Sequence, residues 1–170
     1  MTETHAALQE RAARQGDGAI IASTVVVLVV RQDRFGCLWA GDSRAYLLRN
    51  DTFRRLTRDH SLVQELVDAG HLDARDAERH PRANVITRAV GASGGTLELD
   101  MVTGRIMAGD RFLLCTDGLS KVVADTMLGD ILRANGPDDA AEKLLEAALS
   151  RRARDNVTAV VLEVGGDGAD

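Results

Sequence analysis

Ser23-Thr24-Val25-Val26-Val27-Leu28-Val29-Val30 is β-branched almost throughout, and such a run reads as a β-strand buried on both faces. Downstream, Gly36–Ala40 (Gly-Cys-Leu-Trp-Ala) and Ala45–Leu48 read as a second and a third strand. Asn50-Asp51 then turns into a fourth at Phe53–Leu56. Few residues separate these runs, which predicts an antiparallel meander. Upstream, Thr4–Gln15 sets Ala6, Ala7, Leu8, Ala12 and Ala13 among charges, a short helix broken at Asp17-Gly18. The apolar run from Ala19 to Val30 is about 12 residues long, too short for a bilayer, which needs about 20. It also lacks the basic flank and small-residue cleavage site of a secretory signal. No membrane insertion is expected.

Residues 57–90 have a more polar texture. Ser61-Leu62-Val63-Gln64 has the form of a capping box, and Leu62, Val63, Leu66 and Val67 follow helical spacing as far as Gly70. Asp73 is placed to cap a second short helix ending before Pro81, and His60, His71 and His80 read as solvated or helix-capping residues. Strand signals resume at Leu97–Val102 and Arg111–Cys115. Two helices follow: one over Asp125–Ala134, the other from Pro137 with Ala141, Leu144, Leu145, Ala148 and Leu149 on one face. Ser150-Arg151-Arg152-Ala153-Arg154 reads as a solvated helix end favoured by the macrodipole. Val157–Val164 is a last strand. The order of elements predicts an α+β fold with a mostly antiparallel sheet.

At 170 residues, 45% of them apolar, the chain has the material for one domain with a real core. A net charge of −5 without a basic block, and only five aromatic residues, exclude sequence-independent nucleic-acid binding, which needs clustered cations or stacking platforms. Cys37 and Cys115 lie in apolar stretches without CxxC spacing, so they read as small buried thiols in a reducing, cytoplasmic compartment.

Three acidic residues fall at strand ends. Asp42 follows the strand ending at Ala40-Gly41, Asp117 follows Arg111–Cys115, and Asp155 precedes the final strand. If the strand before Asp117 and the strand after Asp155 are antiparallel, their carboxylates emerge at the same sheet edge. Asp42 joins them if its strand runs parallel to the one before Asp117. Gathered carboxylates repel one another unless a cation compensates, and hard oxygen donors of this kind suit Mg²⁺ or Mn²⁺. Gly41 and Gly118 would allow close backbone approach. Asp-Gly, Gly-Asp and Asp-Asn are also ordinary turn dipeptides, so the residue pattern alone leaves both readings open.

Taken together, these segments resemble the metal-dependent serine/threonine protein phosphatases of the PPM (protein phosphatase 2C) family in its compact bacterial form. The matching pieces, in the family's order, begin with Ser23-Thr24-Val25-Val26, Ala40-Gly41-Asp42-Ser43-Arg44-Ala45-Tyr46 and Leu56-Thr57-Arg58-Asp59-His60-Ser61-Leu62-Val63. They continue with His80-Pro81-Arg82, Ile86-Thr87-Arg88-Ala89-Val90-Gly91, Gly109-Asp110, Leu113-Leu114-Cys115-Thr116-Asp117-Gly118-Leu119 and Asp155-Asn156-Val157-Thr158. The resemblance implies a β-sandwich of mostly antiparallel sheets flanked by helices. It makes 57–90 the family's flap-like insertion, while 1–18 read as an N-terminal helical segment and 165–170 as a flexible tail. It implies that Asp117 and Asp155 hold a catalytic Mn²⁺ or Mg²⁺, and that Asp117 and Asp42 hold a further, weaker ion. The implied reaction is attack of a metal-activated water on phosphoserine or phosphothreonine in a protein, reversing a Ser/Thr kinase. The nearest flavour is that of phosphatases associated with type VI secretion.

A complete member of the family carries a phosphate-binding Arg and a metal-bridging Asp-Gly pair before the Ser-Thr-Val strand. Residues 1–22 contain no match to either, Asp17-Gly18 lying too close to the strand. The expectation is an N-terminally shortened, partial phosphatase domain with weak or no activity alone, and with strand edges exposed to self-association. The rival reading is a catalytically impaired, phosphatase-like module binding a phosphoprotein or kinase partner. Retention of all three carboxylates argues against it.

Overall fold

The computed structural model describes residues 1–16, 18–92 and 94–165. Asp17 of the expected helix break and residues 166–170 of the expected tail lie outside them. The elements are α1 (Thr2–Gln15), β1 (Val25–Arg31), β2 (Arg34–Ala40), β3 (Arg44–Arg49), β4 (Thr52–Arg55), α2 (Leu62–Asp68), β5 (Asp100–Arg105), β6 (Arg111–Cys115), α3 (Asp117–Ser120), α4 (Asp125–Ala134), α5 (Pro137–Ser150) and β7 (Ala159–Glu163). They fall into two compact units: Met1–Val27 with Leu38–Asp42 and Arg58–Met101, and Leu28–Cys37 with Ser43–Thr57 and Val102–Asp170.

Among the described residues the strands form two sheets, ordered β1-β2-β5 and β4-β3-β6-β7. The expected single meander is therefore two hairpins in different sheets. The break between β2 and β3 comes at Gly41, whose φ of 116° no strand residue adopts. A Cβ there would lie 2.4 Å from Thr24 Cγ2. The β3–β4 hairpin closes as expected at Asn50-Asp51, both with positive φ (46° and 61°), the conformation of a type I′ turn. The opening strand departs from its reading. β1 is a sheet edge, and Val29 and Val30 are 51% and 49% exposed. β-branching marks residues that suit a pleated, half-buried surface and does not tell an edge strand from a central one.

In the second unit β3 and β6 lie at the centre of the four-stranded sheet. β3 pairs antiparallel with β6 (Tyr46↔Leu113, Arg44↔Cys115), and β6 with β7 (Leu113↔Val161, Cys115↔Ala159). Alternation sends Tyr46, Leu48, Leu113 and Cys115 into one core with Leu128, Leu132 and Leu144 of α4 and α5. Leu47 and Phe112 are cross-strand partners, and Phe112 meets Phe35 of β2 edge-on, 5.1 Å between ring centroids. That contact packs one sheet on the other, as in a β-sandwich.

α4 approaches β4 closely, since a Cβ on Gly129 would lie 3.0 Å from the Phe53 ring. Phe53 stacks on Tyr46, whose hydroxyl donates to Asp125 Oδ1 at 2.9 Å. Burial pushes the Tyr46 phenol far above its ordinary pKa. Arg111 ties the end of α4 to the sheet by donating to the carbonyls of Leu132 and Asn135, both at 2.6 Å. α5 buries Ala140, Leu144, Ala147 and Ala148, while Leu145 and Leu149 of the expected face are exposed. An apolar stripe more than one residue wide leaves the burial direction open by about 100°, one residue's rotation.

In the first unit His5 is buried in α1. Its Nδ1 accepts from Gly91 N at 2.9 Å and its Nε2 donates to Gly95 O at 3.0 Å, while Gln9 donates to Ala92 O. α2 begins at Ser61, whose hydroxyl accepts from Gln64 N, and the Gln64 amide nitrogen donates to Asp68. It ends in a Schellman motif, His71 N donating to Leu66 O and Gly70 N to Val67 O, with Gly70 at φ 70°. Asp73 caps no helix. Its carboxylate accepts from the Arg75 backbone and guanidinium, and a single 3₁₀ turn follows at Ala77–Arg79. No helix among the described residues is long and apolar enough to cross a membrane. Cys37 and Cys115 are buried and not joined in a disulfide, and burial pushes the Cys37 thiol up to about 11.

Candidate active site

Asp117 and Asp155 reach one edge of the second unit's sheet for a simple reason. β6 and β7 are antiparallel, with Cys115 opposite Ala159, so the end of β6 faces the approach to β7. Thr116 locks the two segments. Its N donates to Thr158 O at 3.1 Å, its Oγ1 donates to Asn156 O at 3.2 Å, and Thr158 N donates to the same Oγ1 at 3.0 Å. Gly118 completes the approach, for a Cβ there would lie 2.3 Å from Asn156 O and 3.3 Å from Asp155 O. Asp117 opens α3, and its Oδ2 accepts from Lys121 Nζ at 2.6 Å, both side chains about a quarter exposed. Asp155 is exposed and its Oδ1 accepts from Asn156 N at 2.7 Å. Ser120 Oγ, in the same turn as Asp117, is buried with no hydrogen-bond partner among the described residues.

Asp42 belongs to the first unit and is buried. Its neighbour Gly41 is held by His60 from both sides of the peptide: Gly41 N donates to His60 Nδ1 at 3.2 Å and His60 N donates to Gly41 O at 2.9 Å. His60 is buried, against its reading as a solvated or capping residue. It stacks on Trp39 (6.1 Å, 19°), whose Nε1 donates to Arg58 O. Its Nε2 lies 3.3 Å from Asp100 Oδ2, off the line of a hydrogen bond, and Asp100 also pairs with Arg88. His60, Thr116 and Lys121 are what sequence reasoning missed. The one signal for His60 was the chain's single Trp, shortly before Asp42 in sequence. Nothing local marked the other two.

Among the described residues no three His, Cys, Asp or Glu side chains close on one point. The second unit does supply two carboxylates on adjoining segments, a glycine-only approach that a Cβ would fill, and an ammonium already drawn to Asp117. Hard oxygen donors that attract a cation fit Mn²⁺ or Mg²⁺ in chemistry.

Architecture and site together define an α+β protein of antiparallel sheets with carboxylates at the strand ends. The chain belongs to the protein phosphatase 2C family, whose sequence model matches residues 1–150. It is 37% identical over 144 residues to the serine/threonine phosphatase stp of Listeria welshimeri, covering 84% of this chain and 57% of that protein. The chain thus spans little more than half the length of that relative. Among solved structures it resembles PppA, a key regulatory component of T6SS in Pseudomonas aeruginosa, with 41% identity and a TM-score of 0.84, covering 94% of this chain and 65% of that one. It also resembles the catalytic domain of the serine/threonine protein phosphatase PstP in complex with two manganese ions, with 31% identity and a TM-score of 0.83, covering 95% and 67%.

Proposed function

We propose that this chain contributes to metal-dependent hydrolysis of phosphoserine and phosphothreonine in proteins, acting on the products of a Ser/Thr kinase. The observation that carries the reading is the Thr116–Gly118 lock, which binds the segment of Asp117 to that of Asp155 in a chain of this family. Asp117 and Asp155 would hold Mn²⁺ or Mg²⁺, and Asp42 would share a further, weaker ion with Asp117. The part of Asp42 rests on the family resemblance. When bound, the ion supplies a water of lowered pKa and neutralises charge developing on the phosphoryl group. The protein's own part is to fix the carboxylates: Thr116 holds the two segments in register, and Gly118 lets them approach. For the 170 residues on their own the proposed activity is low, because residues 1–22 offer no match to the family's phosphate-binding Arg or its bridging Asp-Gly. The likeness to PppA supports a role beside type VI secretion, and the buried thiols of Cys37 and Cys115, outside any disulfide, support a reducing, cytoplasmic setting. The exposed valines of edge strand β1 support self-association.

The test is release of phosphate from a phosphothreonine peptide and from p-nitrophenyl phosphate, with Mn²⁺ or with chelator, alongside Mn²⁺ binding by calorimetry. The expected result is Mn²⁺ binding that Asp117→Asn removes, with slow, chelator-sensitive turnover. Robust Mn²⁺-dependent turnover lost in Asp117→Asn overturns the claim of low activity. Phosphoprotein binding that ignores both chelator and Asp117→Asn overturns the hydrolase reading.

A further inference from the structure

Lys121 is used by nothing in the proposed reaction, yet it sits on the carboxylate most needed for it. Nineteen of the chain's 21 Lys and Arg residues are arginine, and Lys121 and Lys143 are the exceptions. Lys121 caps the C-terminus of α3, four residues beyond Asp117, so the pair faces across one helical turn with Nζ 2.6 Å from Oδ2. The turn itself is fixed independently of the ion pair, since Lys121 N donates to Asp117 O at 2.9 Å. The backbone turn therefore does not depend on the position of the ammonium.

We propose that Lys121 is a built-in counter-cation of Asp117, competing with the divalent ion for that carboxylate and released when the ion binds. The proposal rests on reading Asp117 as an ion ligand. Lysine suits exchange better than arginine would. Its ammonium is a compact, strongly hydrated point charge on a flexible stem, whereas a guanidinium clamps a carboxylate through a pre-organised fork. The pair is about one-quarter exposed, so a divalent ion can reach the carboxylate and water can solvate the ammonium it displaces. The lysine keeps Asp117 compensated without the ion and sets a threshold on the ion concentration at which the site fills.

Mn²⁺ titrations by calorimetry on the full chain test this, comparing wild type with Lys121→Gln, Lys121→Arg, Lys143→Gln and Asp117→Asn. Lys121→Gln is expected to lower the Kd about three- to ten-fold, equivalent to about 0.7–1.4 kcal/mol. Lys121→Arg should bind no more tightly than wild type, and Lys143→Gln, which removes the same charge from α5, should match it. A second readout needs no substitution: amine acylation followed by mass spectrometry. Lys121 should label several-fold faster with saturating Mg²⁺, while Lys143 is unchanged. Equal Kd values for wild type and Lys121→Gln, with binding lost in Asp117→Asn, overturn the competition and leave the ion-site reading standing. A Lys121 labelling rate indifferent to Mg²⁺ overturns it too. Binding undiminished in Asp117→Asn, or no binding by any form, overturns the ion-site reading and this proposal with it.

Discussion

Replacing Asp110 by Ala is expected to cost about 3 kcal/mol, at the lower end of the 3–5 kcal/mol typical of breaking a buried ion pair. The Asp110 carboxylate is 1% exposed and accepts three hydrogen bonds: Arg49 Nε at 2.7 Å on Oδ1, and an Arg49 terminal nitrogen at 2.5 Å with Met107 N at 2.8 Å on Oδ2. Arg49 also donates to Arg105 O, so one guanidinium joins the end of β3, the end of β5 and the turn into β6. Without Asp110, Arg49 keeps that carbonyl and part of its hydration, being about a quarter exposed, which places the loss at the lower end. For a chain of this size it corresponds to a fall in Tm of roughly 6–12 °C.

Burial alone would raise the Asp110 pKa, but the bonds from Arg49 and Met107 and the charges of Arg49 and Arg54 outweigh it and hold the carboxyl below its usual range. A depressed carboxylate stabilises the fold above its unfolded pKa, about 3.9. That contribution is lost as pH falls through the folded value. The difference between wild type and Asp110→Ala, measured by urea denaturation from pH 7 to pH 3, should therefore be full at pH 7 and narrow in acid. Arg49→Leu should cost more than Asp110→Ala because it leaves the buried carboxylate unpaired. The double substitution Arg49→Leu/Asp110→Leu should recover part of the loss. A cost below about 1 kcal/mol for Asp110→Ala, or strict additivity in the cycle, refutes the reasoning.

Gly118→Ala must push the α3 turn off the Asn156 carbonyl, and a loss of about 1–3 kcal/mol is expected from the overpacking. Thermal unfolding with and without Mn²⁺ checks it, and an unchanged Tm would show that the two segments are not in tight contact. For self-association, light scattering behind size exclusion should show a dimer that Val29→Lys returns to monomer, because β1 presents Val29 and Val30 on an open sheet edge. A wild-type chain that stays monomeric across micromolar concentrations refutes it.

What the sequence discloses depends on whether the deciding contact is local. β6 and α4 fall at the bounds read for them, because turn residues and an amphipathic run delimit each. The Gly70 stop and the Asn50-Asp51 hairpin are set by backbone conformations those residues favour. β1 misled because β-branching carries no information on which strand is the edge. α5 misled because Leu145 and Leu149 are as apolar as the alanines actually buried. Asp117 and Asp155 were legible as strand-end residues, and the adjoining of their segments followed from the antiparallel pairing of β6 and β7. The bond that holds them comes from the Thr116 hydroxyl across forty residues of chain, and no local pattern marks it. His60 was hidden for the same reason, its partners Gly41 and Asp100 being remote in sequence.

The place of β6 has a consequence for synthesis. It is a central strand whose partner on one side, β3, is made first, while its other partner, β7, ends 48 residues after Cys115. At the translation rates of about 5–20 residues per second, β6 waits roughly 2–10 s with one edge open. During that interval α4 and α5 are made, and Leu128, Leu132 and Leu144 become available to cover one face of the strand. That edge stays unpaired until β7 arrives, and the same pairing brings the segment of Asp155 beside that of Asp117. A nascent chain stalled before Ala159 would carry most of this unit's core residues while that edge of β6 stands open.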